Sequence, residues 1–257
     1  MSKKKTVVGI LAHNHFGKYQ PGYGQNAAYI HFARSFDADV IMIDAQNESI
    51  IPVDLLILPG GRDVNPLRYG ERPHYMTDSP DMEYEAFYDK NLGAINGYIE
   101  RAEKGLTAIY GICAGFQNLN VHFGGTIVQH VNNDRSTTFR GELVDDLESV
   151  VENFPKDYIG IKSPFNKKEK LSYTYNIPGL FKTNSIHHQA IFSHNLSDHF
   201  LPLAYDCKHG NIEFMIHKEL PIAAEQSHPE ERENPFVAIG IINTLLNRIQ
   251  KNEKREN

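Results

Sequence analysis

Eight residues constrain this chain more than any others: Tyr110-Gly111-Ile112-Cys113-Ala114-Gly115-Phe116-Gln117. An apolar run over residues 107–112 stops at a cysteine that has a glycine two positions to either side. An apolar, part-amphipathic stretch over residues 116–123 follows and closes at Gly124-Gly125. This is the pattern G-x-nucleophile-x-G of a sharp strand-to-helix turn, with sulfur in place of a serine oxygen. Such a turn forces its central residue into a strained backbone conformation, and glycines on both sides let strand and helix pass closely. The thiol is then held above a sheet edge, where the amides at the new helix's N-terminus favour its thiolate. Taken alone, the segment also suits a buried structural cysteine in a glycine-rich loop.

The surrounding pattern predicts what sheet that turn belongs to. Residues 7–12, 39–44, 53–58 and 107–112 read as short continuous apolar strands. Between them, residues 25–36 place Tyr29, Phe32, Ala33 and Phe36 at helical spacing, and residues 81–104 align Tyr84, Tyr88, Leu92, Ile95 and Ile99, with Gly105 as the stop. Apolar strands alternating with amphipathic helices indicate an α/β fold with a mostly parallel central sheet covered on both faces. Residues 126–183 are less regular and read as inserted, β-rich loops and hairpins. Residues 201–205 and 212–217 read as antiparallel strands joined at His209-Gly210-Asn211, and residues 221–226 return to the core. A last helix takes Asn234 as N-cap and Pro235 at its first position, with Ala238, Ile241, Ile242, Leu245 and Ile249 on one face. No repeat or linker divides these parts, so residues 1–257 are expected to form a single domain.

Composition narrows the function classes. The net charge of −6 gives no electrostatic reason to expect nucleic acid. The basic clusters, Lys3-Lys4-Lys5 and residues 251–255, read as solvated ends. No apolar run approaches the roughly 18 residues of a membrane helix, and no secretory leader is visible, so no membrane association is expected. The 2 cysteines, Cys113 and Cys207, cannot build a disulfide framework, which points to a reducing, cytoplasmic setting. The 13 histidines are scattered without zinc-ligand spacing, and neither a Walker A sequence nor a G-x-G-x-x-G follows a strand. Neither a metal nor a cofactor is expected.

A thiolate nucleophile needs a base, and that base gains from a carboxylate behind it. His228 and Glu230, two residues apart around Pro229, can share a face of an extended segment. They follow an apolar run that can end at the same sheet edge as Cys113, where ligands of parallel sheets bind. Acyl transfer also needs donors for the oxyanion. The amide of Ala114 supplies one, and the turn Gly60-Gly61-Arg62 the other through Gly61, since glycine permits an inward-facing amide. A plain strand-to-helix turn would favour the same glycines.

These segments together resemble a known family. Residues 111–117 with Asn120-Val121 and Gly124-Gly125 resemble the nucleophile segment of class I glutamine amidotransferases. Leu58-Pro59-Gly60-Gly61 is similar to their oxyanion loop, and His228-Pro229-Glu230 to their base and carboxylate. Two longer stretches, residues 59–66 with Tyr69-Gly70-Glu71, and Asn184-Ser185-Ile186-His187-His188-Gln189, resemble the γ-glutamyl-γ-aminobutyrate hydrolase-like branch. The resemblance runs from about residue 7 to 246 and implies a flavodoxin-like fold. It also implies cleavage of a γ-glutamyl amide through a thioester on Cys113, with His228 as base and Glu230 as its orienting acid. By position, Gln117 resembles the glutamine that helps hold the glutamyl group, and His187, His188 and Gln189 would form another wall of that pocket. Three positions depart from the pattern. Ala114 stands where such hydrolases often carry arginine, Ser227 where an aromatic commonly precedes His-Pro-Glu, and residues 81–85 lack a common Arg-Asp pair.

The reading expected from these features is a free-standing cysteine hydrolase of γ-glutamyl amides or glutamine, with water resolving the thioester. A glutaminase subunit that delivers ammonia to a separate synthase or ligase is the second, and a non-catalytic binding module the third. Cys113 is expected to be the one thiol needed for turnover, because Cys207 lies in an Asp-Cys-Lys context rather than an elbow.

Overall fold

The computed structural model describes residues 5–12, 16–17, 20–21, 23–43, 49–77, 88, 91–131, 149–153, 180–184, 187–206, 210–233 and 235–253. In chain order the elements are β1 (Thr6–Leu11), β2 (Phe16–Gly17), β3 (Gln20–Pro21), α1 (Tyr23–Arg34), β4 (Ala38–Ile43) and β5 (Leu55–Leu58). They continue with α2 (Leu92–Glu103), β6 (Ala108–Ile112), α3 (Ala114–His122), β7 (Ser149–Asn153), β8 (Leu180–Thr183) and β9 (Phe200–Asp206). The last three are β10 (Ile212–His217), β11 (Ile222–Glu225) and α4 (Phe236–Glu253), and short 3-10 turns occupy Pro66–Tyr69 and Pro229–Glu231. One sheet of nine strands runs β4-β1-β5-β6-β11-β10-β9-β7-β8. The first five strands are mutually parallel. From β10 onward each strand is antiparallel to its neighbours.

Both faces of the parallel part are apolar, because successive side chains of a strand point to opposite sides and both sides carry helices. Val8, Ile10, Leu55, Ile57, Ala108 and Tyr110 face α1 and α4, which contribute Phe32, Ala33, Ala238, Ile241 and Leu245. The alternate positions Leu56, Leu58 and Ile109 face α2 and α3, which contribute Ile95, Tyr98, Ile99 and Leu119. This is the three-layer α/β arrangement that the alternation of strands and helices predicts.

Element by element, the differences from the sequence reading have local causes. α3 begins at Ala114 rather than 116, since Cys113 is itself the residue before the first turn. Of the helix predicted over 81–104, Leu92–Glu103 forms α2, and residues 81–87 lie outside the described residues. Asn234, Cys207 and most of 126–183 also lie outside them. The described strands of that stretch, β7 and β8, continue the main sheet through β9. The short β2–β3 pair had no sequence signal strong enough to predict it.

The strand-to-helix turn is tight enough to forbid a side chain. A Cβ on Gly115 would lie 2.3 Å from the carbonyl oxygen of Leu58, and one on Gly111 2.8 Å from Gly115 backbone. Leu58 is held in the β5–β6 ladder, so it cannot retreat. Gly115→Ala is therefore expected to destabilise the fold by about 1–3 kcal/mol or more, read as a lowered urea midpoint.

A second built-in constraint is His217 at the end of β10. Its Nδ1 accepts from the amides of Glu219 (3.0 Å) and Leu220 (2.9 Å), which fixes the turn into β11. Burial, aided by the neighbouring His199 and Lys218, pulls this imidazole down to about 4. Between that value and the ordinary imidazole range near 6.5, the unfolded chain binds a proton that the folded chain does not. Stability is thus expected to rise with pH across that window, by on the order of 2–3 kcal/mol, and to be complete above it. Urea titrations at several pH values check this, and His217→Gln should flatten the slope.

Candidate active site

Three adjacent parallel strands, β5, β6 and β11, end at one edge of the sheet. β5 leads into Pro59-Gly60-Gly61, β6 into Cys113, and β11 into Gln226-Ser227-His228. The sequence segments that carry the expected chemistry are therefore brought together by strand adjacency, at the carboxyl edge where such sheets bind ligands.

Cys113 is 6% exposed and has φ 51° and ψ −106°, a positive φ that a side chain adopts only under strain. Its amide bonds the Glu225 carbonyl at 2.8 Å, so β11 as well as the helix start fixes the elbow. His228 stands beside it, and its Nδ1 pairs with Glu230 Oε1 at 2.7 Å. Burial pulls the His228 imidazole down, but the charge and hydrogen bond of Cys113, then those of Glu230, raise it well above its ordinary value. The charged imidazolium is thereby favoured, held between two anionic partners. Asn184 clamps the His228 backbone at both ends of the peptide: His228 N donates to Asn184 Oδ1 at 2.9 Å, and Asn184 Nδ2 donates to His228 O at 3.0 Å.

Gly60 faces the gap between nucleophile and base. A Cβ there would lie 2.8 Å from His228 Cε1 and 3.4 Å from Cys113 Cβ. Its amide donates to the hydroxyl of Tyr29 at 2.8 Å, and the Tyr88 hydroxyl donates to the Pro59 carbonyl at 2.5 Å. Burial, then the neighbouring charges of Glu230 and Cys113, push the Tyr29 phenol far above its ordinary value, so it stays neutral. With the Gly60 amide engaged, the amides of Gly61 and Ala114 are the ones that have no acceptor among the described residues.

The remaining expected residues fall into two groups. Gln117 and Gln189 are almost fully buried, at 3% and 1% exposure, in one polar layer beneath Cys113. Gln117 Nε2 donates to Gln226 Oε1 (3.1 Å) and to the Gln189 carbonyl (3.4 Å). Gln189 Oε1 accepts from the Val64 amide at 3.3 Å. His187 is also buried, with Nδ1 2.8 Å from the Gln189 carbonyl and Nε2 3.8 Å from Glu213. His188 instead meets the Asp63 carboxylate at 2.8 Å and His130 at 3.3 Å. His228, Glu230 and Glu231 also lie close enough to one another to hold a metal ion. Two of them already bond each other, which is how a base and its orienting carboxylate are disposed.

Behind the triad lies a network that sequence reasoning missed. Glu225, fully buried, accepts from Tyr110 Oη (2.8 Å), Ser227 Oγ (2.5 Å) and Arg232 (2.5 Å). Burial raises its carboxyl above the ordinary range, while Arg232, Ser227 and Tyr110 hold it down. The pair closes the ends of the loop that carries His228 and Glu230. Arg232→Met should cost about 3 kcal/mol in urea denaturation, because it leaves a buried charge without its counter-ion. Glu225→Gln in the same chain should recover part of that loss. A charged residue ending a buried apolar strand was the available signal.

The architecture is that of the class I glutamine amidotransferase fold. A GMP synthase component of Thermoplasma acidophilum superposes with TM-score 0.61 at 19% identity, over 99% of this chain and 98% of that one. A glutamine amidotransferase of Thermotoga maritima superposes with TM-score 0.52 at 12% identity, over 98% of each chain. The chain belongs to the Peptidase C26 family, whose model matches residues 6–230. Among its relatives, the glutamine amidotransferase-like protein YvdE of Lactococcus lactis is 30% identical over 182 residues, covering 69% of this chain and 66% of that protein. A Schizosaccharomyces pombe protein named as a glutamine amidotransferase is 33% identical over 199 residues, covering 74% and 68% respectively. The matched stretch thus spans about two thirds of the length of these relatives. No helix among the described residues is long and apolar enough to cross a membrane.

Proposed function

We propose that the chain hydrolyses a γ-glutamyl amide through a γ-glutamyl thioester on Cys113. The observation that carries this is the convergence of Cys113 with the His228–Glu230 pair at 2.7 Å, on neighbouring strand ends. The Cys113 proton rests on His228, and the sulfur attacks the γ-carbonyl carbon. The oxyanion is received by the amides of Gly61 and Ala114, which agrees with their having no acceptor among the described residues. His228 then gives its proton to the leaving nitrogen as the C–N bond breaks. Water attacks the thioester, its proton passes to His228, and the C–S bond breaks to release glutamate. Glu230 keeps the imidazole oriented and balances its charge.

Because the Gln117 NH2 is committed to two acceptors, its Oε1 is the atom with which it would meet the substrate's α-ammonium. His187, His188 and Gln189 complete that side of the pocket in this reading, and His188 with Asp63 stands on the side open to the leaving amine. The stretch Asn184 to Gln189 and the Pro59-Gly60-Gly61-Arg62-Asp63 turn favour the γ-glutamyl hydrolase-like branch.

A second reading, a glutaminase subunit that passes ammonia to a separate synthase, draws on Ala114 and on the fold shared with a GMP synthase component. The test is steady-state glutamate release by the purified chain from glutamine and from a panel of γ-glutamyl amines. The hydrolase reading expects release from a γ-glutamyl amine without any partner. Negligible release from every compound, restored by an added synthase, would reverse the ranking.

A further inference from the structure

The sulfur of Cys113 has a polar neighbour besides His228. Gln226, fully buried between β11 and the catalytic histidine, places Nε2 3.7 Å from Cys113 Sγ. Which end of a buried amide faces a sulfur decides its effect, since an NH2 donates to a thiolate and a carbonyl oxygen repels it. The orientation follows here from a chain of partners that starts at a group with only one possible role.

The Gln189 backbone carbonyl can only accept, so the Gln117 atom 3.4 Å from it is the amide nitrogen. That nitrogen is also 3.1 Å from the Gln226 side chain, and a donor there requires the Gln226 oxygen. The other end of Gln226, the NH2, is then the end that faces sulfur. Flipping either amide would set two donors or two acceptors against each other in a buried layer, at the cost of an unsatisfied polar group.

We infer that Gln226 is a further catalytic residue, an amide donor that stabilises the Cys113 thiolate, and that Gln117 is the positioning residue that holds its NH2 toward the sulfur. This rests on the reading of Cys113 as the nucleophile, but not on the identity of the substrate. It gives Gln117 a task in the free enzyme, before any glutamyl group arrives. A hydrogen bond to a charged acceptor is stronger than one between neutral groups, and losing it should slow thiolate chemistry by about tenfold.

The test uses iodoacetamide, which takes a bond from the thiolate sulfur to its carbon and releases iodide, so no substrate is needed. With Cys207→Ala as background, the rate of Cys113 alkylation at neutral pH is measured for the parent and for Gln226→Met, Gln117→Met and the double variant. Methionine keeps the length and removes the donor. Gln226→Met is expected to react about tenfold more slowly, with the deficit shrinking as pH rises and hydroxide supplies the thiolate. Gln117→Met should be slowed about threefold, and the double variant no more than Gln226→Met alone, because Gln117 acts only through Gln226. Folded Gln226→Met reacting at the parent rate overturns the inference, and additive losses overturn the relay. If Gln226→Met does not fold, Gln117→Met reacting at the parent rate has the same force. A parent chain that alkylates as described but releases no glutamate would leave this inference standing while the γ-glutamyl reading falls.

Discussion

Cys113→Ala is expected to abolish glutamate release, by about 10⁴-fold or more, while leaving the fold intact. The loss is large because no other group can form the acyl intermediate, so only the bound geometry and the oxyanion donors remain to help water. Stability should move the other way in a companion variant. At φ 51° a Cβ is strained, so Cys113→Gly is expected to be as inactive as Cys113→Ala yet more stable, by about 1 kcal/mol. Cys207→Ala should stay near the parent rate. Turnover of a γ-glutamyl amide by Cys113→Ala at the parent rate would end the covalent account.

His228→Ala is expected to lose about 10²–10⁴-fold in kcat/KM, at least as much as Glu230→Gln, because the imidazole moves the proton and the carboxylate only orients and supports it. The two variants should also differ in their pH profiles. Glu230 raises the His228 imidazole through its charge and its 2.7 Å bond. Removing that charge lowers the imidazole, so the pH limb governed by the Cys113–His228 pair should move to lower pH in Glu230→Gln. His228→Ala should lose that limb altogether. Near-parent turnover by folded His228→Ala would show that the proton goes elsewhere.

Much of this site is legible in the amino-acid sequence, for identifiable reasons. The elbow announces itself locally: an apolar strand, two glycines and a cysteine within a few residues, and the structure gives Gly115 the close contact with Leu58 that the spacing implies. His228 and Glu230 are legible because a base and its carboxylate two residues apart leave a short motif. The three-layer fold follows from apolar runs alternating with helical faces. What sequence cannot display is polar pairing across long separations. Tyr29 reads as one more apolar-face aromatic on α1, and only its hydroxyl on the Gly60 amide marks it as part of the oxyanion loop's support. Asn184 clamps a histidine 44 residues away, and Gln226 reaches a sulfur 113 residues away. Glu225 at the end of a buried strand has no periodicity to betray its partners. His187 and His188 are adjacent in sequence but diverge, one toward buried Glu213 and the other toward Asp63.

The central claim is a γ-glutamyl group carried on one sulfur. Acid quenching during turnover of a γ-glutamyl amine, followed by mass spectrometry of the digested chain, tests it most directly. The account predicts a γ-glutamyl adduct on the peptide that holds Cys113, labile to hydroxylamine and missing from Cys113→Ala. Sustained glutamate release with no adduct on that peptide, under a quench that preserves thioesters, would contradict it.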